Sequence, residues 1–535
     1  MTRAVRCCLV QLYSDLQPAN ADPLAIEALA GAITRRLPGA TPTLLTFGVH
    51  HTPTERAGML ARLTSGEFDL IGISCPQGTL DDALLLLGAL FTLASPPLVV
   101  IGHALPTSLP DYFLERFPQA LIVRGWGEDA IVALCREATR DEPDLTLVPS
   151  LTWRDASGER HDTPLRTALV GVPLRLDPAS YFCRIEASRG CHYDICTFCA
   201  RFPRLKHTAA WKRLSLEQVI AQAREIAAAG ASAFTFTDED FIGDDLAGAL
   251  ALGETLRAIP GLDFTISVRV DSVIDRSAGA TLSVDHAALF AALRAAGLSM
   301  VFMGAESFSA SQLRRYGKGV SPEENIAAVR ALEGYGLDIE LGLIMFDPLV
   351  TLAELRENVD TLLRTGLYRY VGYPFSFMRA QVNTPYATLL EHRGLLGDLN
   401  PNLAAYDARY ASAVVAEVAE RCQAFFQTMN RFYAALRNVY RSSPAEARMY
   451  RGALDEARLI QVEYLAALLR LAESAGAHGW SNLALWRARL GRCRAEVAAR
   501  IQAAGQVSPA EAVLLAAAVD GPTTAEVVGQ GAFPR

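Results

Sequence analysis

The sequence predicts an α/β protein in three parts: a doubly wound domain over residues 1–140, a partial (β/α)6 barrel over 183–395 and a helical region over 396–535. Residues 141–182 read as the linker between the first two. Three observations predict this. Apolar runs of strand length alternate with helical stretches through both of the first blocks, which is the rhythm of parallel sheets covered by helices. That rhythm ends near residue 395, where the chain becomes rich in Ala, Leu, Arg and Glu at helical spacing. Three closely spaced thiols follow the first strand of the second block, and the C-terminal end of a strand is where such barrels build their sites.

In the first block the strands are read at 5–12, 43–47, 70–74, 98–101 and 120–123, with helices such as 23–37 and 80–93 between them. Ligands of doubly wound sheets lie beyond the carboxyl ends of the strands. Those ends carry Cys75-Pro76-Gln77-Gly78-Thr79, Gly102-His103-Ala104-Leu105-Pro106-Thr107 and Gly125-Trp126-Gly127-Glu128. No Gly-x-Gly-x-x-Gly or Gly-Lys-Ser/Thr follows the first strand, so a nucleotide phosphate lacks its usual cradle. A plain nucleotide-binding fold, or a vestigial one, stands as the competing reading. The linker is rich in Asp, Pro and Thr, with one short strand pair around Leu151-Thr152-Trp153.

The second block opens with a short strand at 185–188 that runs into Ser188-Arg189-Gly190-Cys191-His192-Tyr193-Asp194-Ile195-Cys196-Thr197-Phe198-Cys199. An amphipathic helix follows at 215–229, with Ser215 as N-cap and Gly230 as its stop. The second strand, 233–237, leads into Asp238-Glu239-Asp240-Phe241. Burying an unpaired carboxylate is costly, so these acids point to a site. The third strand, 264–270, bears Arg269 and is followed by Asp271. The fourth, 300–303, enters Gly304-Ala305-Glu306-Ser307-Phe308-Ser309, where Gly304 lets backbone approach a ligand. The fifth, 339–345, ends in Phe346-Asp347-Pro348, and 370–375 reads as a sixth.

Three thiols, not four, decide the chemistry. A structural zinc site is closed by four ligands and a simple ferredoxin cluster takes four thiolates. Three cysteines leave one iron of a four-iron four-sulfur cluster open to a small molecule. Completion of a zinc site by His192 or Cys183 is the alternative.

The cysteine loop resembles that of the radical S-adenosylmethionine (SAM) superfamily, Cys-x-x-x-Cys-x-Φ-Cys with Φ aromatic. Phe198 stands at Φ, and the first gap is four residues instead of three. The Gly-x-Glu-Ser turn at 304–307, with Lys318-Gly319 after it, is similar to that of many cobalamin-dependent members. The loops at 102–107 and 125–128 resemble the Gly-Gly-x-x-Pro-Thr and Gly-Glu-Gly-Glu turns of cobalamin-binding domains that precede such barrels, with His103 replacing one Gly and Trp126 one Glu.

The resemblance implies that Cys191, Cys196 and Cys199 hold a 4Fe-4S cluster, with Phe198 beside it. It implies that Asp238 or Glu239 meets the amino group of SAM, that Arg269 pairs bidentately with its carboxylate, and that Gly304, Glu306 and Ser307 complete the SAM site. Gln77, Gly78, Thr79, Gly102, His103, Pro106, Thr107, Gly125, Gly127 and Glu128 then form the cobalamin site. The Asp-x-His-x-x-Gly signature that ligates cobalt from below is absent, so cobalamin is expected without a protein histidine ligand and with Gln77 or a neighbouring loop residue under the cobalt. His50, His51 and His103 read as loop histidines bonded to backbone or water. The implied activity is methyl transfer to an unactivated carbon or phosphorus centre of a natural product or peptide, with cyclisation or ring rearrangement as the alternative. No acid–base pair is demanded, so no catalytic side chain is assigned. A flavodoxin- or ferredoxin-like electron donor is expected.

Composition agrees. A chain of 535 residues holds two or three full cores, and a formal charge of −8 without a basic stripe argues against nucleic acid. A zinc-stabilised nucleic-acid binder is disfavoured on that ground, and a cobalamin carrier or sensor has no use for a reducible cluster. No run reaches transmembrane length, no secretory segment opens the chain, and a cytoplasmic protein with ten mostly reduced cysteines is expected. Long helices are read at 414–439 and 444–475, the first with Phe425, Phe426, Met429, Phe432 and Tyr433 as a core stripe. The stretch from Asp520 reads as a weakly ordered tail.

Overall fold

Seven strands make the first sheet: β1 (Cys7–Tyr13), β2 (Thr43–Gly48), β3 (Leu70–Ser74), β4 (Leu98–Gly102), β5 (Leu121–Val123), β6 (Leu151–Arg154) and β7 (Arg160–Asp162). The structure is a computed structural model that describes residues 4–16, 21–166, 173–176, 182–200, 211–275, 284–442, 444–473, 483–503 and 509–519. The stretch from Asp520 lies outside the described residues, as does much of 167–181.

The sheet order is β2-β1-β3-β4-β5-β6-β7, parallel through β5 and antiparallel at β6 and β7. Every residue of β1 is buried, as expected of a central strand covered on both faces. The order 2-1-3-4-5 places a topological switch between β1 and β3, the position where doubly wound sheets bind ligands. The strand pair of the linker is thus the antiparallel edge of this sheet.

The barrel sheet contains β8 (Arg184–Ile185), β11 (Ala233–Phe236), β12 (Asp263–Val268), β13 (Leu298–Glu306) and β14 (Asp338–Leu343) in the order β14-β13-β12-β11-β8, all parallel. A short antiparallel pair, β9 (Ser188–Arg189) and β10 (Lys212–Arg213), stands at its end. Helix Leu216–Ala228 starts from a capping box in which Ser215 accepts from the Gln218 N–H, and Gly230 turns the chain with φ +90°.

The sixth strand differs from expectation. Residues Leu367–Tyr370 form a 3-10 turn, and the segment meets the sheet only through isolated bridges, Val371 with Leu341 and Phe377 with Phe346. Side chains of the helical region claim carbonyls in and just before this segment. Tyr433 donates to the Gly372 carbonyl at 2.5 Å, and Arg458 donates to that of Arg369.

The helical region comprises helices Ala413–Ser442, Pro444–Glu473, Leu483–Ala503 and Pro509–Val519. Its aromatic stripe is buried core, with Phe425 stacked on Tyr464 at 4.4 Å. A buried pair, Arg437 with Glu340 of β14, ties it to the barrel. No helix among the described residues is long and apolar enough to cross a membrane.

One expectation is corrected: β structure does not end at residue 395. Strands β15 (Ala380–Gln381), β16 (Leu396–Asn400) and β17 (Ala405–Ala408) form an antiparallel sheet of order β15-β17-β16. These strands are short and β16 is mostly exposed, so they lack the alternating apolar pattern by which a strand is read.

Candidate active site

The cysteine loop starts on buried scaffolding. Asp238, 2% exposed, accepts from the Ala187 N–H at 3.1 Å and from the Ser188 hydroxyl. Burial pushes its carboxyl up to about 7 against these bonds. Glu239 is exposed and takes the Gly190 N–H at 2.8 Å. Of the two acids expected to meet the SAM amino group, Asp238 is therefore enclosed and Glu239 is open. Asp240, fully buried, lies 2.5 Å from His192 Nδ1 and accepts from Ser272. That bond to Asp240 raises the imidazole pKa, and burial opposes it.

The extra residue in the first cysteine gap is absorbed without glycine: Asp194 sits at φ +43°, a region that Asp tolerates better than most side chains. Further on, the loop is held by neighbours. The Thr197 N–H donates to the Tyr316 carbonyl at 2.8 Å, the Thr197 hydroxyl to that of Arg315 at 2.9 Å, and Tyr386 N–H to the Thr197 carbonyl at 3.0 Å. Phe198 is buried edge-on against Tyr316, centroids 5.5 Å apart. Gly319 has φ +75° and an added Cβ would lie 2.2 Å from the Tyr193 hydroxyl. Tyr193 in turn donates to the Gly317 carbonyl.

Positive charge lies against the thiols. Arg269 is 4% exposed; its Nη1 is 3.8 Å from Cys196 Sγ and its guanidinium lies 3.9 Å from the Tyr193 ring centre. Its bidentate fork is already engaged by Asp271, at 2.8 and 2.9 Å. Burial pushes the Cys196 thiol up, while Lys318 and Arg269 pull it down. Lys318 Nζ is 3.2 Å from Glu306 Oε1. Glu306 adopts φ +64° where the β13–β14 register shifts.

Two of the positions expected in the SAM site have contacts of their own here. A Cβ at Gly304 would lie 2.7 Å from Glu306 Oε1 and 3.1 Å from Lys318 Nζ, so this glycine makes room for the ion pair. Ser307 is turned into the core, its hydroxyl within bonding distance of Gln312 and Asn358.

Soft thiolate donors suit an iron–sulfur cluster. Among the described residues, Cys191, His192 and Asp240 place ligand atoms within 4.8 Å of one another, but the three cysteines form no such group. Thiols that bind different irons of one cluster need not converge on a point. Cys183, the alternative fourth ligand, is core at the other end of β8.

The ligand edge of the first sheet is made mainly of backbone turns. Gly78 has φ +88°, and a Cβ there would lie 2.5 Å from Ser14 Oγ. Gln77 Nε2 donates to the Leu403 carbonyl at 2.9 Å, so this end of the side chain expected under the cobalt is engaged. Thr79 is buried and donates to the Pro76 carbonyl. Gly102 ends β4, and its carbonyl accepts from the Cys75 N–H. Pro106 and Thr107 are buried, and Thr107 Oγ accepts from the Gly125 N–H at 3.1 Å. Gly127 packs close to Leu29.

His103 adopts φ +83° and accepts the Ala104 N–H on Nδ1 at 2.7 Å. Desolvation by the surrounding protein, with Arg184 nearby, lowers its pKa to about 4. It is neutral at pH 7. Ser74 Oγ, His51 Nδ1 and Glu128 Oε2 are buried without a hydrogen-bond partner, and buried polar groups ordinarily find one. Polar atoms awaiting partners at this edge fit a site for a polar ligand.

The two loop systems meet. Glu128, 3% exposed, forms an ion pair at 2.9 Å with Arg189, two residues before Cys191. Arg189 also pairs with Glu186 and lies 5.0 Å from the Trp126 ring centre. Sequence alone gives no role to Arg189 or Asn402, offers His192 only as a zinc ligand, and names Asp240 and Lys318 only as members of their motifs. Nothing local marks Asn402.

Comparison with known proteins agrees with this geometry. Residues 185–362 match the Radical SAM superfamily. The chain is 27% identical over 440 residues to the 4'-phospho-dehydrooxetanocin synthase of Priestia megaterium, covering 68% of this chain and 58% of that protein. The match thus spans less than two thirds of that relative. It is 23% identical over 334 residues to an uncharacterized methyltransferase of Pyrococcus horikoshii, covering 59% and 67%. Among solved structures, the cobalamin-dependent SAM radical enzyme OxsB with aqua-cobalamin and SAM bound superposes with a TM-score of 0.81 at 21% identity, covering 96% of this chain and 83% of that one. The radical SAM methyltransferase TsrM of Kitasatospora setae gives 0.54 at 18% identity, covering 68% and 70%. These likenesses establish the fold: a doubly wound domain, a partial barrel and a helical region.

Proposed function

We infer that this chain, which belongs to the radical SAM superfamily and carries the fold of its cobalamin-dependent enzymes, catalyses methyl transfer to an unactivated carbon or phosphorus centre of a natural-product or peptide substrate. One observation carries the reading. A three-thiol loop at the end of a parallel barrel is joined, through Arg189 and Glu128 at 2.9 Å, to the ligand edge of a doubly wound sheet.

Cys191, Cys196 and Cys199 would hold the cluster, Glu239, Arg269, Glu306 and Lys318 would receive the polar end of SAM, and the loops after β3, β4 and β5 would receive cobalamin. When bound, these cofactors would supply reductive cleavage of SAM, hydrogen abstraction and a transferable methyl group, the hard chemistry that cofactors carry. The chain's residues position and shield. Arg269 and Lys318 place positive charge beside Cys196 and favour its thiolate. Arg269 is held by Asp271 and Lys318 by Glu306, so a carboxylate would share one of these cations with its present partner, while Glu239 would offer oxygens to an ammonium. His103, at the ligand edge, has one ring nitrogen on backbone, and cobalamin is expected without a histidine bond to cobalt.

A second reading is a ring-altering or cyclising reaction without methyl transfer. The likeness to the 4'-phospho-dehydrooxetanocin synthase of Priestia megaterium supports it. Anaerobic reconstitution with iron, sulfide, hydroxocobalamin and a flavodoxin or ferredoxin donor tests both. Methyl transfer yields 5'-deoxyadenosine and S-adenosylhomocysteine together; 5'-deoxyadenosine alone supports the second reading. Failure to take up iron or corrinoid overturns both.

A further inference from the structure

We propose that the hairpin β16–β17, which lies outside the first domain, is a working part of its ligand site, with Asn402 as the positioning residue. The inference rests on the cobalamin reading of that site.

The hairpin tip grips the loop after β3 at three points. Asn402 Oδ1 accepts the Leu80 N–H at 2.9 Å, the Asn402 carbonyl accepts the Gly78 N–H at 2.8 Å, and the Leu403 carbonyl accepts Gln77 Nε2 at 2.9 Å. The first of these caps a helix from across the molecule. Helix Leu80–Phe91 has Thr79 at its N-cap with no side-chain cap bond, since that hydroxyl donates to Pro76. A helix leaves its first N–H groups unsatisfied, and Asn402 supplies the missing acceptor. Asn383, at φ +59°, adds a fourth grip by donating to the Ser108 carbonyl at 3.0 Å, beside the loop after β4.

The same small sheet reaches the other site. Ala404 and Val382 are buried in the core under the first sheet. Ala380 and Tyr386 are buried with Cys196, Phe198 and Tyr316 in the cluster under the cysteine loop. Tyr406 packs against both clusters. A glycine-containing loop with few side-chain ties of its own, at φ +88° for Gly78, takes its conformation from this external clamp.

The test is equilibrium dialysis of hydroxocobalamin against the full chain reconstituted with iron and sulfide. Asn402→Leu, which keeps size but removes the acceptor, is expected to weaken corrinoid affinity roughly five- to tenfold, the scale of a lost helix cap. Iron content and SAM affinity should stay at wild-type values. Asn402→Asp retains the acceptor and should restore affinity, which loss of folding by itself would not reproduce. Hydrogen exchange should rise in residues 77–83 of the Leu variant. Asn383→Gly, able to keep φ +59°, should weaken binding in the same direction by less and provides the measurement where Asn402→Leu fails to fold. Wild-type corrinoid affinity in Asn402→Leu or in Asn383→Gly, or failure of Asn402→Asp to restore binding, overturns the inference while the cobalamin reading stands. A wild-type chain that takes up no corrinoid removes both.

Discussion

The cysteine-bearing end of the barrel and the ligand edge of the first sheet are organised by opposite means. At the barrel, charged side chains pair with one another before any ligand arrives: Arg269 with Asp271, Lys318 with Glu306, His192 with Asp240. At the first sheet the work is done by backbone turns at Gly78, His103 and Gly125, with orphaned polar atoms and contacts borrowed from elsewhere. Ion pairs fixed in a low-dielectric setting keep their geometry without reorganisation when charge arrives. Backbone turns adapt to a large ligand but must be held from outside. The two sites therefore break differently.

The largest expected effect is at the thiols. Cys196→Ala should abolish the cluster's absorbance and all reductive SAM cleavage, and full iron occupancy in that variant would refute the ligand assignment. Next is the bridge between the two ends. Arg189→Met leaves Glu128 buried without its counter-charge, which costs about 3 kcal/mol for a broken buried pair; chemical denaturation reads the loss, and an unchanged midpoint would mean that the two loop systems are not coupled through this pair.

Within the barrel end, Arg269→Ala should weaken SAM binding by about 1.5 to 3 kcal/mol, the range for a charge-assisted contact. Isothermal titration of the reconstituted protein checks it. Within the first sheet, Thr107→Val removes the acceptor for the Gly125 N–H and should cost about 1 kcal/mol of stability, read as a lower melting temperature.

A pH dependence sets the two ends apart in another way. His103 is lowered to about 4 in the folded chain against an ordinary value near 6.5. The unfolded state therefore binds the extra proton first. Stability is full above about pH 6.5 and falls as pH drops toward 4. In His103→Gln that acid-side loss should flatten, and parallel pH profiles for the two proteins would count against the placement of the ring.

Much of this architecture was legible because it rests on local patterns. The cysteine spacing with Phe198, the acids after the second barrel strand and Arg269-x-Asp271 each lie within a few residues of a strand end, and strand ends follow from apolar runs. What stayed hidden depends on direction and distance. Glu306 and Ser307 are neighbours in one motif, yet the positive φ of Glu306 turns one toward Lys318 and the other into the Gln312–Asn358 core. Gly304 serves that ion pair, a role that only three-dimensional crowding reveals. The sixth barrel strand looked regular because Val371 and Phe375 are apolar, but Tyr433 and Arg458 arrive from over 60 residues away to claim its carbonyls. The hairpin β16–β17 was invisible for the opposite reason, its strands being polar and exposed.

Those claimed carbonyls also bear on solubility. A sheet that stops short of closure presents a row of unsatisfied backbone groups, a template on which a second chain can add itself. Here the helical region covers the flank of β14, with Tyr433 and Arg458 occupying the acceptors of residues 369–372 and Arg437 locked onto Glu340. The first two helices of that region thus act as an intramolecular guard against strand addition, and a chain cut before residue 413 should self-associate even where its barrel still folds.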